Sequence, residues 1–427
     1  MPSLWELVQR IRESLFFIPT LVLIGCATIA GLALLADDRG SALLDSLPLL
    51  STTAAGGRAI AGTVAGATIT VAAIVFSLTA LSTQMASSQY SPRALGSFLD
   101  DRFQQFIIGL VVGTFTYSLL ILAGLSDVLS SSAAAQSLSV TFAVLLGVAS
   151  AVGIIAYIDH SLHHMQIDSV VRRIAMTTVE SIRHHRSRDR EHTEMSDEGA
   201  PKGDAVVVEA RSTGWVQGID VSKLMENIPA GATARVNVGP GEAVSRGDSI
   251  ITMWSEENLS ESTFPRLRSA IRITPKRSIS ADPGFGIRLL VDIALRALSP
   301  GVNDPSTAVD VIHHLKIPVR EILLSTAPDR VVRGSEGRRI FLPELTSRSD
   351  NVHSAFTEIR LAARSQPPVF AALIDVLEDL ERENQDGDLP GRVTAISEQL
   401  ELTLQAVRDS DLPEPDLRRL LGSRHDR

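Results

Sequence analysis

The sequence has a single cysteine, Cys26, and few aromatic residues, which make up 4% of its 427 positions. One cysteine excludes a disulfide bond within the chain. The formal net charge of -9 argues against nonspecific nucleic-acid binding, which depends on lysine and arginine neutralising phosphates. The sequence therefore predicts no nucleic-acid partner. The positions of the charged residues along the chain are more informative about the fold than their total.

Charged residues are absent from four long segments near the start of the chain, which cover residues 14–36, 59–92, 103–126 and 128–158. A helix needs about 20 apolar residues to cross the hydrocarbon core of a bilayer. The sequence therefore predicts a transmembrane domain over residues 1–165, with spans at about 15–36, 60–86, 104–125 and 136–158. The lipid bilayer is the first predicted partner.

Basic residues are concentrated directly after the fourth predicted span, at Arg172, Arg173, Arg183, Arg186, Arg188 and Arg190. The short loop between the third and fourth spans has no lysine or arginine. Because short basic segments stay in the cytoplasm, the long C-terminal part is predicted to be cytoplasmic. Four spans then place the N-terminus on the same side as the C-terminus.

The rest of the chain is predicted to contain a basic juxtamembrane helix and linker (166–203), a β-rich domain (204–256) and a helical domain (257–427). The run from Val236 to Ile250 is similar to the half-repeat of lipoyl and biotinyl carrier domains, which are small flattened β-barrels. The turn after Trp254 lacks a carrier lysine, so we expect no prosthetic group or other cofactor. The predicted fold class is a membrane all-α bundle of four helices followed by a cytoplasmic α+β region, with a small barrel-sandwich-like domain plus helices.

Small polar residues follow one face of the second predicted span at intervals of seven positions: Thr63, Thr70, Ser77 and Gln84. Gly62 and Gly66 lie beside them, and Gly109 and Gly113 repeat this spacing on the third span. One interpretation is close helix packing, because small residues let two backbones approach. The alternative is a face that lines a polar pathway, where hydroxyl groups replace water.

Two histidines after the fourth span, His160 and His164, are four residues apart and would share one face of a helix. Such a spacing can hold a metal ion. No third ligand motif accompanies them, and histidine is ordinary where a span meets the headgroups. The sequence therefore predicts no metal site, with His160 and His164 as the alternative.

A second candidate site is the loop that joins two predicted helices of the soluble part, with candidate residues Asp292, Arg296, Ser299, Asn303 and Asp304. Asp304 and Pro305 form a favourable N-cap and first position for a helix, whose free N–H groups attract anions. Asp292 and Arg296 are four residues apart and could pair on one helix face. The alternative is a stiff turn without a ligand, because turns use the same residue types.

This loop also carries a resemblance to a known family. Residues 294–305, read as ALRALSPGVNDP, together with Thr307 and Ala308 resemble the signature of the bacterial membrane proteins called domain of unknown function 2254 (DUF2254). Residues 72–76, 87–93, 113–119 and 214–220 resemble the same family, so the likeness covers about residues 10–320. The resemblance implies a multi-pass protein of the bacterial inner (plasma) membrane, and it implies no activity.

Three functions are compatible with these features. The favoured one is a homo-oligomeric channel or transport-type pore for an ion or small molecule that the sequence does not specify, with a cytoplasmic gating domain. The alternative is a membrane-anchored binding or scaffold protein whose cytoplasmic domain docks a partner or ligand. An enzyme is least favoured, because the sequence has no P-loop, GxSxG or HExxH motif.

Overall fold

A computed structural model of the chain describes residues 17–39, 50–89, 102–128, 135–164, 167–188, 205–256, 260–325, 331–343, 347–363, 366–384 and 392–422. The chain divides into two compact units, an N-terminal unit (Met1–Gln166) and a C-terminal unit (Ile167–Arg427). The linker predicted over residues 187–203 lies outside the described residues from residue 189 onwards.

The N-terminal unit contains four long helices, α1 to α4, at Phe17–Arg39, Ala54–Gln89, Arg102–Val128 and Leu138–His164. Each has a segment long and apolar enough to cross a membrane, at Phe17–Asp37, Ala55–Leu81, Arg102–Gly124 and Leu138–Ser161. The prediction of four N-terminal apolar helices is confirmed.

Helix α3 lies at the centre of this bundle, with half of its apolar segment buried. Its glycines permit a close approach of α1. A Cβ atom on Gly109 would lie 2.9 Å from the Cα atom of Pro19, and one on Gly113 would lie 2.8 Å from the Sγ atom of Cys26. Gly109 and Gly113 on the third span therefore serve close helix packing, the first of the two interpretations of such glycine pairs.

Buried and half-buried polar side chains of the bundle form hydrogen bonds between helices. The hydroxyl groups of Thr114 on α3 and Ser150 on α4 are 2.9 Å apart, and those of Thr79 on α2 and Tyr157 on α4 are 2.7 Å apart. Such bonds satisfy polar groups that have no access to water. They also fix which faces of α2, α3 and α4 meet.

The connection after α1 and the connection before α4 meet at one end of the bundle. Strand β1 (Leu50–Thr52) pairs antiparallel with strand β2 (Ala135–Ser137). Asp37, near the end of α1, accepts hydrogen bonds from the backbone N–H groups of Leu138 and Ser139 at 2.8 and 3.1 Å. The carboxylate therefore caps the start of α4 from a residue 101 positions earlier in the chain.

Removing this cap is expected to weaken the bundle. Asp37→Ala removes both hydrogen bonds from the backbone and a third from the Ser139 hydroxyl at 2.6 Å. We therefore expect the free energy of unfolding to fall by about 1 to 2 kcal/mol. Thermal unfolding in detergent, followed by helical circular dichroism, measures it. Asp37→Asn keeps one acceptor oxygen, so its stability should lie between those of the parent protein and the alanine variant. An alanine variant as stable as the parent would contradict the role of Asp37 as a cap.

The C-terminal unit begins with helix α5 (Ile167–Arg188), which packs on the helices Pro283–Ala297 (α8) and Pro305–Leu324 (α9). The further helices, α6 to α13, lie at Val221–Asn227, Thr263–Ala270, Pro283–Ala297, Pro305–Leu324, Arg348–Ala362, Pro367–Asn384, Arg392–Arg408 and Glu414–Gly422. Helix α5 buries one apolar face, while Arg172 and Arg183 stay exposed on the other.

The remaining strands of this unit, β3 to β10, lie at Ala205–Glu209, Gly214–Ile219, Thr233–Val236, Ala243–Val244, Ser249–Trp254, Ile271–Thr274, Val331–Arg333 and Arg339–Phe341. They form a five-stranded sheet in the order β3-β7-β5-β10-β9 and a three-stranded sheet in the order β6-β4-β8. Side chains from both sheets share one hydrophobic core, which contains Val216, Ile251 and Ile271.

The chain after residue 330 returns to the larger sheet. Two short apolar runs around Gly334 and Gly337 predict a hairpin over residues 331–342. The structure confirms it, because β9 and β10 pair antiparallel. Strand β10 also pairs in parallel with β5, about 100 residues earlier, so the β-rich region draws on strands outside residues 204–256. The α+β character of this part is confirmed, and the barrel shape stays a prediction.

Candidate functional site

The polar residues of the second span lie on the surface of the described bundle. All four side chains are exposed: Thr63, Thr70, Ser77 and Gln84. The buried face of α2 is built from other residues, which recur at intervals of three and four positions: Ala61, Ala65, Thr68, Ala72 and Val75. The helix therefore packs on its neighbours through one face and presents the polar residues on another.

Among the described residues, no group outside the helix lies close to the glycines of this polar face. A Cβ atom on Gly62 or Gly66 would meet nothing within 4 Å, in contrast to the glycines of α3. The hydroxyl groups of Thr63 and Thr70 donate to the carbonyl oxygens four residues earlier at 2.7 and 2.9 Å. Their hydrogens are thus used within the helix, while lone pairs of the same oxygens remain available to an outside donor.

The histidines after the fourth span make a ring contact. The centroids of the His160 and Phe103 rings are 4.6 Å apart. The side chain of His164 lies outside the described residues. Among the residues that the structure describes, no group of three or more side chains is arranged to hold a metal ion.

The loop between α8 and α9 is a turn with internal hydrogen bonds. Asp304 caps α9, as its position before Pro305 predicts, and accepts from the Thr307 backbone N–H and hydroxyl at 3.1 and 2.6 Å. Asn303 has a left-handed backbone with φ of 49°, and its side-chain oxygen accepts a bond from Gln366 at 3.0 Å. Both side chains therefore stabilise the turn, and their role as ligand residues stays a prediction.

The other candidates of this loop lie on or just after α8. Asp292 forms an ion pair with Arg288 at 2.8 Å. The pKa of Arg288 is raised, first by its hydrogen bond to Glu358 and also by the charge of Asp292. The carbonyl oxygen of Arg296 accepts a hydrogen bond from the Ser299 hydroxyl at 2.7 Å, which tightens the end of the helix.

The sequence analysis did not single out a cluster around Arg277. Its guanidinium lies between the rings of Trp215 and Phe285, 5.3 and 5.1 Å from their centroids. It also binds the carboxylate of Asp282, with 2.8 Å between Nε and Oδ2. The only sequence signal was an aspartate directly before a proline, which is typical of a helix start; the aromatic partners are distant in the chain.

Four long apolar helices followed by an α+β unit define the class, which is that of predicted multi-span membrane proteins. The chain belongs to the DUF2254 family of predicted membrane proteins, whose profile matches residues 12–379. It is similar to the uncharacterized proteins Mb1321c of Mycobacterium bovis and Rv1290c of Mycobacterium tuberculosis. Each is 31% identical over 425 residues, which cover 98% of this chain and 80% of the relative. No solved structure matches the chain. The family resemblance found in the sequence is confirmed.

Proposed function

We propose that the chain is a multi-pass inner-membrane protein that assembles into a homo-oligomeric pore lined by the polar face of α2. The observation that supports it is the exposure of Thr63, Thr70, Ser77 and Gln84 on one helix of the bundle. Polar side chains within spans usually face other helices or water. A ring of copies would turn this face towards a shared axis.

The chemistry of the face suits small hydrated ions or neutral solutes. Hydroxyl oxygens can replace part of a hydration shell. The spanning part of the face carries no charged side chain, so we expect little discrimination between cations and anions. Because Thr63 and Thr70 satisfy their own hydrogens within the helix, a single copy can insert in lipid before it assembles.

The orientation follows from the basic residues of α5. Arg172 and Arg183 are exposed shortly after α4, and basic segments of this kind remain cytoplasmic. We therefore place the C-terminal unit and the N-terminus in the cytoplasm, where this unit would gate the pore.

The test is single-channel recording of purified protein in planar bilayers with simple salts. We expect a reproducible conductance that Thr70→Leu or Ser77→Leu lowers at least about tenfold, because a branched apolar side chain removes water from a narrow passage. The matched control is Thr28→Leu, since Thr28 is exposed on α1 and also donates to its own helix, at 2.8 Å to Ile24.

The outcomes separate the two functions. Conductance that changes with Thr70 or Ser77 and not with Thr28 supports the pore. Silence from folded, oligomeric protein, or an equal effect of all three substitutions, would overturn it and favour the membrane-anchored scaffold.

A further inference from the structure

A cavity of about 310 Å³ in the C-terminal unit lies between helices α9, α11 and α13. Its lining combines apolar side chains, including the buried Ala372 and Leu420, with four titratable ones: His313, Asp375, Asp416 and Arg419. Cavities that bind small molecules have this composition, with mainly apolar walls and a few polar groups that orient the ligand. The volume lies at the lower end of the range for such sites.

The titratable groups lie at the open side of the cavity, where His313, Asp375 and Arg419 are exposed and Asp416 is half-buried. Within the described part of the chain, the side chains of His313, Asp375, Asp416 and Arg419 form no hydrogen bond or ion pair. Several other charged groups on the same helices do pair. Lys316 of α9, for example, binds Asp379 of α11 at 3.0 Å.

Within the described residues, helix α13 contains both a paired and an unpaired set of charged side chains. Glu414 and Arg418 are four residues apart and form an ion pair at 3.1 Å. Asp416 and Arg419 are three apart with the acid first, an order that also favours pairing, yet their charged groups stay apart at the cavity. A half-buried carboxylate and an exposed guanidinium thus both lie at the mouth of one small, mainly apolar cavity, where a ligand can reach them.

We propose that this cavity binds a small zwitterion with an apolar body, of the class of the aliphatic α-amino acids. Arg419 would bind the carboxylate, because a guanidinium offers two parallel N–H donors to it. Asp375 and Asp416 would bind the ammonium group, and Ala372 and Leu420 would contact the aliphatic side chain. The proposal is independent of the pore, since it concerns the C-terminal unit alone.

Three probes that share a 3-methylbutyl group separate the contributions of the two charges. Full-length protein in lipid nanodiscs is titrated by calorimetry with L-leucine, with 3-methylbutylamine, which lacks the carboxylate, and with 4-methylpentanoate, which lacks the amine. We expect leucine to bind at least about tenfold more tightly than either analogue, because each lost charged hydrogen bond leaves a partner unpaired.

Substitutions then locate the site. Arg419→Gln and Asp416→Asn should each weaken leucine binding about tenfold or more, whereas Arg418→Gln, one position away on the same helix, should leave it unchanged. Circular dichroism confirms that each variant is folded. Absence of leucine binding, an analogue that binds as tightly as leucine, or equal affinity of the Arg419 and Arg418 variants would each overturn the proposal.

Discussion

Gly241→Ala is expected to destabilise the C-terminal unit by about 3 kcal/mol, because two separate costs add at this position. Gly241 has φ of 84°, a left-handed conformation that costs a residue with a Cβ atom about 1 kcal/mol. The new Cβ would also lie 2.3 Å from Oδ2 of Asp282, which is far inside van der Waals contact. Either the turn or the carboxylate must move.

Moving Asp282 disturbs everything that its carboxylate holds. It caps helix α8 by accepting a hydrogen bond from the Gly284 backbone N–H at 2.9 Å, and it binds Arg277 between the two aromatic rings. Loss of an N-cap alone costs about 1 kcal/mol, and the unpaired guanidinium adds to it. The cluster thus couples a turn of the smaller sheet to the start of the helix that precedes the 299–304 loop.

A second glycine of the same unit isolates the backbone cost. Gly231 has φ of 71°, and a Cβ atom there would meet nothing within 4 Å. Gly231→Ala should therefore cost only about 1 kcal/mol. Urea unfolding followed by tryptophan fluorescence measures both variants, since Trp215 and Trp254 lie in this unit. If the two substitutions cost the same, Asp282 is free to move and the cluster contributes little.

Features that depend on local sequence could be predicted. The four apolar helices follow from uncharged length, because nothing else in the chain offers about 20 apolar residues in succession. The cap at Asp304 follows from its position before Pro305, and the hairpin of β9 and β10 follows from two short apolar runs around glycines. In each case the deciding contacts lie within a few residues of one another.

Contacts between distant residues could not be predicted in the same way. Asp37 caps a helix that begins 101 residues later, and Arg277 stacks on a tryptophan 62 positions earlier, which no periodicity indicates. The sequence placed Thr63 and Thr70 on one face of α2, but only the packing of α2 on α3 and α4 leaves that face exposed. The choice among the faces of a helix is made by its neighbours.

Gly66→Leu is expected to dissociate the proposed homo-oligomer while leaving each copy folded. Gly66 is exposed at the edge of the polar face of α2, on the side of Gly62, where neighbouring copies of the proposed ring would meet. No described residue outside the helix lies within 4 Å of its added Cβ. A leucine there fits within one copy. Between two copies it would hold the backbones apart, and close approach of small residues is what drives such helices together. We expect at least a tenfold loss of self-association, measured by crosslinking or by mass photometry in nanodiscs.

Substitutions of two further glycines serve as controls, one at an exposed position of another helix and one inside the bundle. Gly31→Leu places the same side chain on an exposed position of α1, also with nothing within 4 Å, and should leave the assembly intact. Gly113→Leu drives a side chain against Cys26 inside the bundle and should destabilise each copy, because overpacking costs about 1 to 3 kcal/mol or more. Dissociation by Gly66→Leu alone would assign the contact between copies to this edge of α2, whereas an unchanged oligomer would exclude that contact and contradict a ring built along α2.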